Sequence, residues 1–174
     1  MRSDRVNINS LMRVAFKSGR AGFVAASPYP FLVPQAVQLG VLEDTSDPGN
    51  TLLHVPDKGG DISLFQDPRV FILKHSTDPG DMLTVSLGRT IETDLSLSDH
   101  SVGLNHAVFR RVGVRDWELE DQGSKNGTFV DDLRLIPGVP MAIESKQQLR
   151  FGRVQLHFYS SSDFFDALMA AGGV

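Results

Sequence analysis

The chain has 174 residues, 41% of them hydrophobic, and a formal net charge of -4 from 17 Lys and Arg against 21 Asp and Glu. That length and composition predict one globular domain with room for an appendage, large enough to bury about two-thirds of its unfolded surface without metal or cross-links. The lack of cysteine excludes disulfides, thiolate metal sites and cysteine nucleophiles, and the acidic balance argues against broad, sequence-independent nucleic-acid binding.

Charge is uneven along the chain. The first 20 residues hold Arg2, Arg5, Arg13, Lys17 and Arg20 against Asp4, a net of +4 that leaves -8 on the remainder. From Ile8 to about Lys17 the apolar residues Ile8, Leu11, Met12, Ala15 and Phe16 recur at three- and four-residue spacing, which predicts a short amphipathic helix with Gly19 as its stop. Such a basic helix can dock its apolar stripe on its own domain or lie on an anionic membrane, and docking is the favoured reading. A second apolar patch, Phe23 to Ala26, runs into the breaker Pro28-Tyr29-Pro30. No apolar run approaches the roughly 20 residues of a membrane span, and Asn7, Asn9, Ser10 and Arg13 interrupt any signal-peptide core, so a cytoplasmic protein is expected.

After Pro30 the texture changes to short β-prone runs: Phe31 to Val33, Val37 to Leu42, Leu52 to Val55, Val70 to Leu73, Met82 to Leu87, Ala107 to Phe109, Trp117 to Leu119, Thr128 to Val130, Gln148 to Phe151 and Val154 to Tyr159. Turn clusters at 47–50, 58–61 and 78–81 separate the earlier ones. Strands this short and evenly spaced predict an all-β-dominated antiparallel sandwich. Apolar and polar residues alternate through Val154 to Phe158 and through Trp117 to Glu120, as half-exposed strands require. The tail, with Ser162 or Asp163 as N-cap, Phe164, Phe165, Leu168 and Met169 at helical spacing and Gly172-Gly173 as stop, predicts a short closing helix.

Enzymatic signatures are missing. The acidic pairs Glu118/Glu120 and Asp131/Asp132 fall on a polar strand face and in a turn, where solvated carboxylates are the expected state. The histidines His54, His75, His100, His106 and His157 lack metal-ligand spacing, and there is no GxSxG, phosphate-binding Lys loop or GxGxxG. No metal, no cofactor and no catalytic residue is expected.

Several dispersed segments between Arg69 and Tyr159 stand in a meaningful order: Gly88-Arg89, Asp94 to Val102, His106-Ala107-Val108-Phe109, Gly123-Ser124-Lys125-Asn126-Gly127-Thr128 and Leu149-Arg150-Phe151-Gly152. Their order and spacing resemble the forkhead-associated (FHA) domain. The resemblance implies a β-sandwich whose loops at one end bind a phosphothreonine peptide, and a non-catalytic module in Ser/Thr kinase signalling or complex assembly. The residue chemistry suits that task. Arg89 can present a planar donor fork to a phosphate, or can pair with Glu92 or Asp94. Ser124 and Lys125 can donate to phosphate and Asn126 to a peptide backbone, although the same loop reads equally well as an Asn-Gly turn. Gly88, His106 and Gly127 are expected to hold the shape of the loops.

One departure stands out against the resemblance. The positions that usually carry a phosphate-donating Ser and a basic neighbour before the His are here Gly103 and Leu104. The backbone N–H of Gly103 is a compensating candidate donor. The candidate phosphopeptide site is therefore Arg89, Gly103, Ser124, Lys125 and Asn126, for a protein partner and not a nucleic acid. The alternative is a structural or assembly protein with a degenerate site that binds independently of phosphate. The expected division is an N-terminal extension at 1–66 packed on the sandwich, the sandwich at 67–162 and a C-terminal helix at 163–174.

Overall fold

The β-branched and aromatic runs become strands, and the two amphipathic segments become helices laid on one of the resulting sheets. The computed structural model describes residues 5–34, 69–74 and 83–171. In chain order the elements are β1 (Arg5–Asn7), α1 (Ile8–Ala26), β2 (Phe31–Pro34), β3 (Arg69–Ile72), β4 (Thr84–Gly88), β5 (Leu95–Ser96), β6 (Ala107–Arg111) and β7 (Trp117–Asp121), followed by β8 (Thr128–Val130), β9 (Leu133–Arg134), β10 (Met141–Ile143), β11 (Gln148–Phe151), β12 (Val154–Tyr159) and α2 (Ser161–Ala171). The expected strands at 37–42 and 52–55, the turns at 47–50, 58–61 and 78–81, and His54 and His75 lie outside the described residues.

Two sheets face each other. One has seven strands in the order β1-β3-β2-β12-β11-β8-β9, the other five in the order β10-β7-β6-β4-β5. Every pairing is antiparallel except β4 with β5. Their facing sides share one core that includes Leu32, Phe71, Val85, Leu87, Phe109, Trp117, Leu119, Leu149, Phe151, Leu156 and Phe158. Strand β12 buries alternate residues, Val154, Leu156 and Phe158, as its pattern predicts.

Strand β2 is buried on both sides. Leu32 enters the sandwich core, while Phe31 and Val33 point to a second core made with Ile8, Leu11, Met12, Ala15 and Phe23 of α1 and Phe164, Phe165 and Leu168 of α2. Phe31 stacks on Phe164 with ring centroids 4.2 Å apart, and Phe23 lies 6.0 Å from Phe31. The fold is thus three layers: two helices, the seven-stranded sheet and the five-stranded sheet.

Two boundaries differ from the sequence expectation. Gly19 kinks α1 at φ 65°, ψ 179° rather than ending it, because Phe23 beyond the kink returns to the same aromatic core. The N-cap of α2 is Ser160, whose hydroxyl accepts from the Asp163 N–H at 3.2 Å; Ser162 and Asp163 are already inside the helix. Among the described residues no helix is long and apolar enough to cross a membrane, and no cluster of His, Asp and Glu suits a metal ion.

Candidate functional site

Strands β4, β7 and β11 end, and β6, β8 and β12 begin, at one edge of the sandwich. The loops that join them there lock together through backbone bonds: the Arg89 N–H donates to Gly103 O at 2.8 Å, Gln122 N–H to His106 O at 2.9 Å and Gly152 N–H to Gly127 O at 3.0 Å. Gly88 is required by close approach, since a Cβ there would stand 2.0 Å from the Leu104 carbonyl oxygen. Arg89, one residue later, is half-buried with its guanidinium Nη1 3.2 Å from His100 Nδ1. Arg89 makes no ion pair among the described residues, so neither Glu92 nor Asp94 neutralises it.

The fully buried His106 bridges two loops. The Gly103 N–H donates to its Nδ1 at 2.9 Å, and its Nε2 lies 3.1 Å from Gly127 O. A ring that accepts at Nδ1 and faces a carbonyl at Nε2 is the neutral Nε2-protonated tautomer. Burial pushes its pKa below the ordinary 6.5, against the opposing pull of the Gly127 carbonyl and Asp121.

The segment from Asp121 to Thr128 is organised by one buried carboxylate. Asp121 accepts from the Gly123 and Ser124 N–H groups, both at 3.0 Å, and from the Ser124 and Thr128 hydroxyls, both at 2.6 Å. Burial alone raises its pKa, yet the bonds from Ser124 and Thr128 outweigh burial and hold it below 3.8. The Ser124 oxygen in turn accepts from the Gly127 N–H at 3.0 Å. Asn126 donates its side-chain amide to the Ser101 carbonyl at 2.7 Å, tying this loop to the one after β5. Lys125 stands exposed beside it.

A second buried carboxylate anchors the neighbouring loop. Asp99 accepts from the Ser101 N–H at 2.8 Å and from Arg153 Nε at 3.1 Å on each oxygen, and the Arg153 N–H donates to the Ser101 hydroxyl at 3.0 Å. Burial raises its pKa, but the Ser101 and Arg153 bonds prevail and it too lies below 3.8.

All eight residues singled out from the sequence therefore sit on one set of interlocked loops, though with different freedoms. The Gly103 N–H is spent on His106 and the Ser124 hydroxyl on Asp121, so in this state neither is offered outward. Arg89, Lys125 and Asn126 keep side chains at the surface. Sequence reasoning missed Asp99 and Asp121. The alternation of β7 carries the signal for Asp121: Trp117 and Leu119 point inward, so Asp121 does as well. Asp99 sits in a loop, where no period reveals it.

A family model described as FHA domain matches residues 85–152, from within β4 through β11 to Gly152. The oxoglutarate dehydrogenase inhibitor of Corynebacterium jeikeium is 28% identical over 114 residues, covering 63% of this chain and 76% of that protein. The oxoglutarate dehydrogenase inhibitor of Corynebacterium diphtheriae is 30% identical over 105 residues, covering 58% of this chain and 71% of that one. Among solved structures, an engineered FHA with Myc-pTBD peptide superposes with a TM-score of 0.50 at 12% identity, over 80% of this chain and 97% of that one, which shows a shared fold. Sequence kinship over most of a relative, the matched motif segment and the common sandwich agree: this chain belongs to the FHA domain family.

Proposed function

We propose that the chain is a non-catalytic binding module of the cytoplasm that recognises a phosphothreonine-bearing protein partner through the interlocked loops, acting in Ser/Thr kinase signalling or in the assembly of a complex. The observation that carries this reading is Arg89, a guanidinium at the end of β4 with no carboxylate partner among the described residues. A planar cation held at a strand end by its backbone bond to Gly103 suits bidentate contact with a dianionic phosphate. Lys125 adds a second cation and Asn126 a backbone-directed amide. Gly103 and Ser124 act by shaping the loops. Membership of the FHA family, and kinship to proteins named as inhibitors of an enzyme, favour regulation by binding over chemistry.

Matched phosphorylated and unphosphorylated threonine peptides test it by titration. The phosphorylated form is expected to bind more tightly, with Arg89→Ala lowering its affinity by about 10- to 100-fold, the worth of one or two charge-assisted hydrogen bonds. Equal affinity for both forms would refute it.

A second reading rests on a specific observation: the position before Leu104 is a glycine whose N–H is already bound to His106, and Leu104 itself is 56% exposed. On that reading the module binds its partner independently of phosphate, and Arg89→Ala leaves the interaction intact.

A further inference from the structure

At the end of the sandwich opposite the interlocked loops, a groove of about 550 Å³ lies between the end of the five-stranded sheet and the helix layer. Its floor is formed by Trp117 and Phe158 of the sandwich core, one wall by the Pro28-Tyr29-Pro30 corner after α1, and the other by the turn that joins β6 to β7. Two valines of that turn line the groove and also face solvent: Val112 is 55% exposed and Val114 81% exposed. The turn is braced. The Val112 N–H donates to Asp116 O at 2.9 Å, and the Arg111 guanidinium folds back to donate from Nε to Gly113 O at 2.9 Å and from Nη2 to Val114 O at 3.0 Å. Singly exposed apolar residues are ordinary on protein surfaces, but two on a braced turn beside an apolar groove set a projection and a recess side by side on one face. Arg115 in the turn and Glu144 at the edge of the groove are exposed, and neither makes an ion pair among the described residues.

We infer that this end of the sandwich is a self-association surface whose occupant is a second copy of the chain. A projection beside a recess is self-complementary under a two-fold axis: the valine turn of one copy enters the groove of the other, and the same rotation seats the second turn in the first groove. Each copy carries both signs of charge at this rim, so Arg115 of one copy meets Glu144 of the other, and the pair occurs twice; a rim of one sign would repel its own copy. Because the same patch serves both copies, association closes at a dimer and does not extend into a filament. The loops that carry Arg89 lie at the far end of each copy and stay open. On the phosphopeptide reading above the dimer is bivalent, so a partner with two phosphorylated threonines gains affinity by avidity. The self-association itself does not depend on that reading.

Sedimentation equilibrium of the full chain over a concentration series tests it. The mass is expected to rise from one chain to two with a midpoint on the order of 100 µM, in keeping with a small, transient contact. Val114→Asp, which drives a charge into the apolar groove, is expected to weaken dimerisation by at least about tenfold. Arg115→Glu is expected to weaken it as well, and Arg115→Glu combined with Glu144→Arg to restore it, because the exchange preserves both pairs. All three side chains are exposed, so none of these changes is expected to unfold the chain, and circular dichroism verifies this. A mass of one chain at every concentration up to about 1 mM, or a dimer indifferent to Val114→Asp, overturns the inference. Either result leaves the phosphopeptide reading standing, since that reading fails only in the separate titration of phosphorylated against unphosphorylated peptides.

Discussion

Asp121 is the side chain on which the loop region most depends. Four donors converge on its carboxylate, and Thr128, which supplies one of them, is fully buried. Removing the acceptor strands the buried Thr128 hydroxyl and frees the less buried donors of Gly123 and Ser124 that shape the loop, and an unsatisfied buried donor costs more than the net worth of the bond it made. Asp121→Ala is therefore expected to lower unfolding free energy by on the order of 3 kcal/mol, and Thr128→Val, which removes a single donor, by about 1 kcal/mol. Urea denaturation of the two variants measures this, and an Asp121→Ala protein as stable as the parent would contradict the hub role. At this scale the sequence is legible by residue type and period. Arg89, Lys125 and Asn126 are recognisable because their chemistry faces outward, and Asp121 follows from β7 alternation. The partners of Gly103 and Ser124 were not legible, since which donor meets which acceptor depends on how three loops fold onto one another.

The elements follow their local patterns where those patterns are long enough. Strands β2, β7, β11 and β12 fall where alternation or apolar runs place them, whereas β5 and β9, at two residues each, are too short to carry a period and exist only because neighbouring strands supply their hydrogen bonds. Helix α1 shows local and tertiary forces in competition. The glycine at 19 interrupts the helix, and the aromatic core restarts it. At φ 65° and ψ 179° this residue occupies backbone space that side chains with a Cβ avoid, although nothing stands within 4 Å of where that Cβ would be. Gly19→Ala is expected to cost about 1–2 kcal/mol through backbone strain alone. Arg20 pairs bidentately with Asp166 of α2 just beyond the kink, but both are exposed, and Arg20→Ala is expected to change stability little. Thermal melts of the two variants separate strain from ion pairing; the reverse ranking would count against this account.

For the whole molecule, the two-sided burial of β2 joins the N-terminal residues to the sandwich. It lies between β3 and β12 within the seven-stranded sheet, so we propose that a division near residue 66 marks a change of role and not a separate unit of folding. The +4 charge of the first 20 residues gave no hint of this arrangement. Stability of the molecule as a whole is expected to fall with acid in two stages. Burial holds the pKa values of His106 and His157 below 6.5, so the unfolded chain takes up their protons first and stability is lost as pH drops below about 6.5. Asp99 and Asp121 lie below 3.8 when folded, so their contribution is intact above that pH and is lost only beneath it. Urea unfolding across a pH series reads both stages, and stability that stayed flat from about pH 7 to pH 5 would exclude the first.

On the phosphopeptide reading proposed above, the bond between Asn126 and Ser101 bears on how an incoming chain is received. An amide that already grips a peptide carbonyl holds an internal surrogate for the ligand, so an incoming backbone wins it only by exchange, leaving Ser101 to find water. Swapping one carbonyl for another is close to isoenergetic. On that reading the bond adds little to net affinity and acts as a latch that holds the two loops in register until an incoming backbone replaces it.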